Sequence, residues 1–278
     1  MAAEHGPNAG EYIVHHLTHL QNHPMKGVID FSVVNYDSIF WSVLLGIVGC
    51  YVLRKAAVAA TSGVPGRFLS AIEFLIEFVD TQAKGIVHNA ESRKLVAPLA
   101  LTVLVWIFLM NSMDFLPVDL LPVIWQAASG DHHAYLRVVP TADLSTTLGL
   151  SCSVLLVCIV YNVKIKGLGH WIHELFSAPF GAKLGPINFL FQMIEFVAKT
   201  VSHGMRLFGN MYAGELLFML IALMGSHLAL SGSGILLPLA HILAGSVWSI
   251  FHIMIVALQA FVFMMLTLVY VGQAHDAH

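Results

Sequence analysis

The stretch "INFLFQMIEFVAKTVSHGMRLFGNMYAGELLFMLIALM", Ile187 to Met224, is an apolar run with almost no turn signal. It nonetheless carries Glu195, Lys199, Arg206, Asn210 and Glu215. A helix over these about 38 positions, at ~1.5 Å each, would be roughly 57 Å long against ~30 Å of bilayer hydrocarbon. A second run of similar length, Ile235 to Val271, follows the uncharged, turn-like "GSHLALSGSG". Breakers are few: Gly204, Gly209 and Gly214 in the first run and Pro238 near the start of the second. Either a hidden turn interrupts each run or both stand strongly tilted, since ordinary tilt absorbs only a modest excess of length. The scarcity of breakers favours two long, tilted helices packed as an antiparallel hairpin.

Composition agrees with a membrane setting. Of 278 residues, 58% are hydrophobic and only 10% are charged, with a mean hydropathy of +0.79, far from the balance of a water-soluble domain. The expected fold is an all-α integral membrane protein of about five transmembrane helices plus an amphipathic surface helix. The apolar runs are 39–53, 95–116, 144–163, 187–224 and 235–271, within a membrane domain over 37–278 that follows an N-terminal tail over 1–36. No signal peptide is visible. A net charge of −3, without a basic stripe, excludes nucleic acid as a partner, and no phosphate-cradling "GxxxxGK" loop occurs. Cys50, Cys152 and Cys158 lack metal-type spacing and read as buried free thiols. His5, His15, His16, His19 and His23 read as a solvated tail, since no cysteine or carboxylate completes a metal site.

Orientation follows from the positive residues, which are retained on the cytoplasmic side. The tail has Lys26 against Glu4, Glu11, Asp30 and Asp37. The next loop carries Arg54, Lys55, Arg67, Lys84, Arg93 and Lys94, and the one after it has Asp114, Asp119, Asp131 and Asp143 against Arg137 alone. Lys164, Lys166 and Lys183 follow. Five crossings, with the N-terminus outside and the C-terminus in the cytoplasm, satisfy every loop. In "AIEFLIEFVDTQAKGIV" the residues Glu73, Glu77, Asp80 and Lys84 share one helical face. That helix either lies along the membrane surface or is a cytosolic connector.

An ionisable group at mid-bilayer is expensive enough that Arg206 is read as functional and in need of a partner. Glu215, nine residues on, falls on the opposite side of the same helix, and Glu195 lies near the face of Arg206 but nearer the cytoplasm. Lys199, His203 and Asn210 share its face and bring no negative charge. The counter-charge therefore comes from another segment of the chain or from another protein. On the last run, His252 and Gln259 are seven residues apart and nearly on one face, and histidine exchanges protons most easily near neutrality. Glu195 at the inner side and Glu215 ~13 Å beyond Arg206 suit two proton paths that stop on either side of a cation unable to relay the proton.

The segments "RLFGNMYAGELLF" and "FHIMIVALQAFVFMMLTLVYV" closely resemble subunit a of the bacterial F-type ATP synthase. "TSGVPGRF", "APLALTVLVWIFLMNSMDFLPVDLLP" and "LRVVPTADLSTTL" match the same family in the same order, so the resemblance runs from Asp37 onward. It implies a stator subunit in a bacterial inner membrane, with no catalytic site or cofactor of its own. The implied partners are the c-ring, the peripheral-stalk subunit b, the lipid bilayer and protons. Arg206 would face the ring carboxylate. Asn210, Glu215, His252 and Gln259 would line the arginine's surroundings and the outer half-channel, with Asp37, Asp119 and Asp114 near its mouth. Glu195, Lys199 and Ser202 would line the inner exit. Where a family pattern has Glu this chain has Gln192, and Glu195 stands where that pattern has Ser, so the inner carboxylate is shifted by about one helical turn.

Two other classes compete. A self-contained transporter would show internal repeats, and none is seen. A haem-binding subunit would need facing histidines, whereas His241 and His252 lie on one predicted helix and could bind haem only with a partner such as His203.

Overall fold

A computed structural model of the chain describes residues 10, 13, 17–23, 30, 32–60, 63–117, 120–130, 136–177, 181, 184–230 and 236–273, without the side chains of 226–230 and 236. The fold is all-α, and among the described residues the only β pairing is one isolated bridge between Gln21 and Asn35. The helices are α1 Tyr36–Ala59, α2 Arg67–Ile86, α3 Ala90–Ser112, α4 Leu120–Ser129, α5 Leu144–Lys166, α6 Leu168–Ser177, α7 Gly185–Leu230 and α8 Leu236–Gly272. Five of them (α1, α3, α5, α7 and α8) are long and apolar enough to cross a membrane.

Local chemistry explains the boundaries. Asp37 sits in the first turn of α1 and accepts the N–H of Ser38 at 2.8 Å, where a carboxylate complements the helix dipole. Gly167 adopts a φ of 80° and donates its N–H to Val163, the left-handed closure that ends many helices; α6 starts on the far side of it. Pro186 opens α7 in the first turn, where its missing N–H costs nothing. α7 as a whole is unbroken for 46 residues and α8 for 37. Gly204, Gly209 and Gly214 therefore do not interrupt the helix, as the long-helix reading expects.

The chain divides into two compact units. Unit 1 comprises 1–46, 108–146 and 208–258, and unit 2 comprises 47–107, 147–207 and 259–278. Within unit 1, Gly225 faces His241, Ile221 faces Gly245, and Phe218 faces Trp248 and His252. Within unit 2, His203 faces Phe263 and Lys199 faces Gln273. Falling numbers on α7 meet rising numbers on α8 in both, so the two helices form the expected antiparallel hairpin. Also in unit 2, α5 and α7 approach closely at Gly204, where an added Cβ would lie 2.9 Å from Leu148 Cδ2 and 3.2 Å from the Thr147 carbonyl. Ser151 fastens the same crossing by donating to the Thr200 carbonyl at 2.5 Å.

Some sequence readings need correction. Arg54 and Lys55 do not end the first helix, which continues to Ala59, because long basic side chains at a span's end can reach the interface. Only Cys158 is buried; Cys50 and Cys152 are exposed on apolar helices whose outer faces lipid can cover. The short helices α4 and α6 lie in stretches too brief to give a spanning signal. The amphipathic α2 forms as expected, with Leu69, Val79 and Ala83 buried and an Asp80–Lys84 pair at 2.5 Å.

The Gly204 crossing generates a prediction. Gly204→Val should destabilise the unit by about 1–3 kcal/mol through overpacking, lowering the protein's thermal aggregation temperature in detergent. Gly149→Ala on α5, where an added Cβ meets nothing within 4 Å, should leave that temperature unchanged. Equal behaviour of the two variants would contradict the close crossing.

Candidate functional site: a buried charge cluster and an exposed arginine

Within unit 1, the buried Asp37, Asp114, Arg137, Glu215 and His252 form one cluster. Glu215 of α7, 7% exposed, is held by Arg137 from the extended segment 136–139. The arginine Nη2 lies 2.5 Å from Glu215 Oε2, and its Nε donates to both carboxylate oxygens at 3.2 and 3.3 Å. Tyr212, one turn before Glu215, lays its ring 5.6 Å below the guanidinium carbon, adding a cation–π contact. The backbone N–H of Arg137 donates to Asp37 Oδ2 at 3.1 Å, and Leu20 N–H donates to the same oxygen at 3.1 Å. His19 stands between the two: its Nδ1 is 3.3 Å from either oxygen of Asp37, and its Nε2 is 2.9 Å from Arg137 Nη1.

A second pair adjoins the first. Asp114, in the 3-10 turn after α3, places Oδ2 2.7 Å from His252 Nε2 of α8, near enough to pair charge but not aligned as a hydrogen bond. Gly214 makes room for them, since a Cβ there would collide with the His252 ring and reach 3.3 Å from Asp114 Oδ2. Rings of Phe115, Phe218 and Trp248 surround the imidazole at 5.7, 5.1 and 6.0 Å. A cavity of about 30 Å³ is lined by Asp114, Arg137 and Glu215, room for a water or two. Asn111, Asp114, Thr141 and His252 each carry a buried polar atom with no hydrogen-bond partner. Such atoms in a native interior call for water.

Unit 2 holds Arg206, and there the geometry differs. The residue is exposed on α7, and among the described residues no carboxylate pairs with it. Gln259 donates to its backbone carbonyl over a long 3.5 Å. Elsewhere in this unit a cavity of about 400 Å³ is lined by Lys166, Glu174, Gln192, Glu195, Lys199 and His203 among others. Lys199 bonds Glu195 at 2.6 Å and Gln273 at 3.1 Å, and Lys166 bonds Glu174 at 2.8 Å. His203 is 3% exposed, its ring centroid lies 3.7 Å from that of Phe263 with the planes tilted by 60°, and it has no partner for either ring nitrogen.

Of the residues singled out in the sequence, Asp37, Asp114, Glu215 and His252 come together in unit 1. Glu195 and Lys199 share the cavity of unit 2, and Gln259 touches the backbone of Arg206. Asn210 and Ser202 are exposed, and Ser202 is absent from the cavity wall. Asp119 lies outside the described residues. Sequence reasoning passed over Arg137, taken for a stray positive residue in an acidic loop, and His19, placed in a solvated tail. The half-buried position of His19, between Asp37 and Arg137, corrects that placement. Lys166 and Glu174 were missed as a pair. An isolated arginine inside an otherwise acidic loop was the available signal for Arg137. Among the described residues no group of three His, Cys, Asp or Glu side chains could hold a metal ion.

Comparison with known proteins places this geometry in a family. The profile of the ATP synthase A chain matches residues 39–272. The chain is 68% identical to ATP synthase subunit a of an Acidovorax species and 65% identical to that of Paracidovorax citrulli, in each case over the whole of both chains. It is 60% identical to subunit a of Verminephrobacter eiseniae over all of this chain and 99% of the other. With most of its length under the profile and its relatives matched end to end, the chain belongs to the ATP synthase A chain family.

Proposed function

We propose that the chain is the proton-conducting stator subunit of a bacterial F-type ATP synthase, in which Arg206 faces the carboxylate of each passing c subunit. The observation that carries this reading is an exposed guanidinium within a membrane-spanning helix, with no carboxylate of its own chain beside it among the described residues. Such a cation against hydrocarbon is unfavourable by several kcal/mol or more, so a partner must bring the counter-charge. The named relatives are subunits of ATP synthase, an assembly whose c-ring offers such a group and whose peripheral-stalk subunit b is a second neighbour.

Orientation rests on charge. Of the chain's 13 Lys and Arg residues, the tail and the loop between the second and third spans carry only Lys26 and Arg137, which suits the extracytoplasmic side. Arg54, Lys55, Arg67, Lys84, Arg93 and Lys94 around the first connection, and Lys164, Lys166 and Lys183 after the third span, suit the cytoplasmic side. The N-terminal tail is then periplasmic and the C-terminus cytoplasmic. The cluster of Asp37, Arg137, Glu215, Asp114 and His252, with waters on its unpartnered polar atoms, serves as the outer half-channel. The cavity bearing Glu195, Lys199 and His203 serves as the inner one.

The chemistry is proton exchange. A proton from outside reaches Glu215 and His252 and neutralises a ring carboxylate released from Arg206. The neutral carboxyl turns into lipid, which would exclude its charged form. On arrival at the inner half-channel the field of Arg206 favours ionisation, and the proton leaves to the cytoplasm. Arg206 keeps its charge throughout, so no proton crosses between the half-channels directly. Strong tilt of α7 and α8 would let both long helices follow the curved ring.

Two predictions follow from these roles. In membrane vesicles bearing the assembled complex, Arg206→Ala should abolish ATP-driven proton pumping and raise the passive leak once the catalytic head is removed; undiminished pumping would contradict the proposed role. The buried Arg137–Glu215 pair makes a different demand, because removing one partner strands a buried charge at a cost of about 3–5 kcal/mol, whereas replacing both by apolar groups is nearly neutral. Arg137→Ala should therefore reduce the amount of chain recovered in the purified complex. Arg137→Met combined with Glu215→Leu should restore recovery without restoring pumping, and pumping by that double variant would remove Glu215 from the proton path.

A further inference from the structure

His19 belongs to the N-terminal segment, yet its ring is built into the charge cluster. Arg137 Nη1 can only donate, so the 2.9 Å contact requires His19 Nε2 to accept. The ring proton is thereby placed on Nδ1, facing both oxygens of Asp37 at 3.3 Å. The result is a line of groups in which Asp37, neutral His19, Arg137 and Glu215 follow one another. The groups facing Glu215 are Arg137, His19 and Asp114, with His252 behind Asp114.

The requirement arises when Glu215 carries a proton in transit. Arg137 is 6% exposed, and a protonated Glu215 would leave that guanidinium without its nearest negative charge. A lone buried cation resists this step by holding Glu215 ionised. Asp37 supplies a second negative charge from the other side, reaching the guanidinium through the His19 ring, and it also accepts the backbone N–H of Arg137 at 3.1 Å. We propose that His19 is a positioning residue of the outer half-channel: with Asp37 it holds the charge of Arg137 while Glu215 is protonated, and so makes Glu215 able to accept the proton. His19 does not hand the proton to Glu215, because Arg137 stands between them and does not release one. The inference rests on the proposed path through Glu215.

The test uses the complete complex in proteoliposomes with the N-terminal tail facing the lumen. Proton-driven ATP synthesis is measured against lumenal pH at fixed external pH and membrane potential. His19→Phe and the smaller His19→Asn should each move the half-maximal rate toward acid by about one pH unit, a tenfold higher proton concentration. His19→Gln, whose amide can donate to Asp37 and accept from Arg137, should restore the wild-type profile. Glu215→Gln is run alongside. Loss of synthesis in Glu215→Gln with unshifted profiles for His19→Phe and His19→Asn in assembled complexes would overturn the inference alone, leaving His19 as a tether for the tail. Retained synthesis in Glu215→Gln would instead overturn the path on which it depends.

Discussion

A guanidinium carried on the outside of an apolar helix cannot be left facing hydrocarbon, and this constraint organises the functional half of the molecule. Arg206 stays charged at any relevant pH, and α7 presents it outward rather than toward a carboxylate of its own chain among the described residues. In the proposed function a negative group from another subunit offsets that exposure. An arginine with no permanent partner would suit such a role, because an internal ion pair would compete with every arriving group.

The charged groups of the unit 1 cluster obey the opposite rule. Glu215, Arg137, Asp37, Asp114 and His252 are all buried, and each has a charged or hydrogen-bonding neighbour. Burial of single charges would be prohibitive, whereas alternating signs keep the cluster tolerable. In the proposed outer half-channel the same alternation would ease proton transfer, since each protonation changes a pair and not an isolated ion. Gly214 and Gly204 contribute by absence: the first admits His252 and Asp114 to the flank of α7, and the second admits α5. Their neighbours lie too close for a side chain, so the close approaches depend on glycine.

Much of the fold was legible because it depends on local pattern. The unbroken length of α7 and α8, their antiparallel pairing and the lone Arg206 all follow from apolar runs with few breakers. Glu215 and His252 were legible from the residues themselves because they sit on those runs, whereas Asp37, off the runs, was singled out through the family resemblance. Arg137 pairs with a residue 78 positions away, and His19 reaches across 118 positions to Arg137. No periodicity connects such partners, and composition alone assigns one to a loop and the other to a tail. Helices α4 and α6 escaped notice for another reason: at 10 residues each they are too short to span hydrocarbon, and so their apolar content carries no topological signal.

The most direct measurement is an experimental structure of the assembled complex, read at Arg206. A carboxylate of a ring subunit within about 4 Å of the guanidinium, the reach of an ion pair, is the predicted result. Arg206 paired instead with a carboxylate of its own chain, or with a lipid phosphate while the ring carboxylates turn elsewhere, would contradict the central claim.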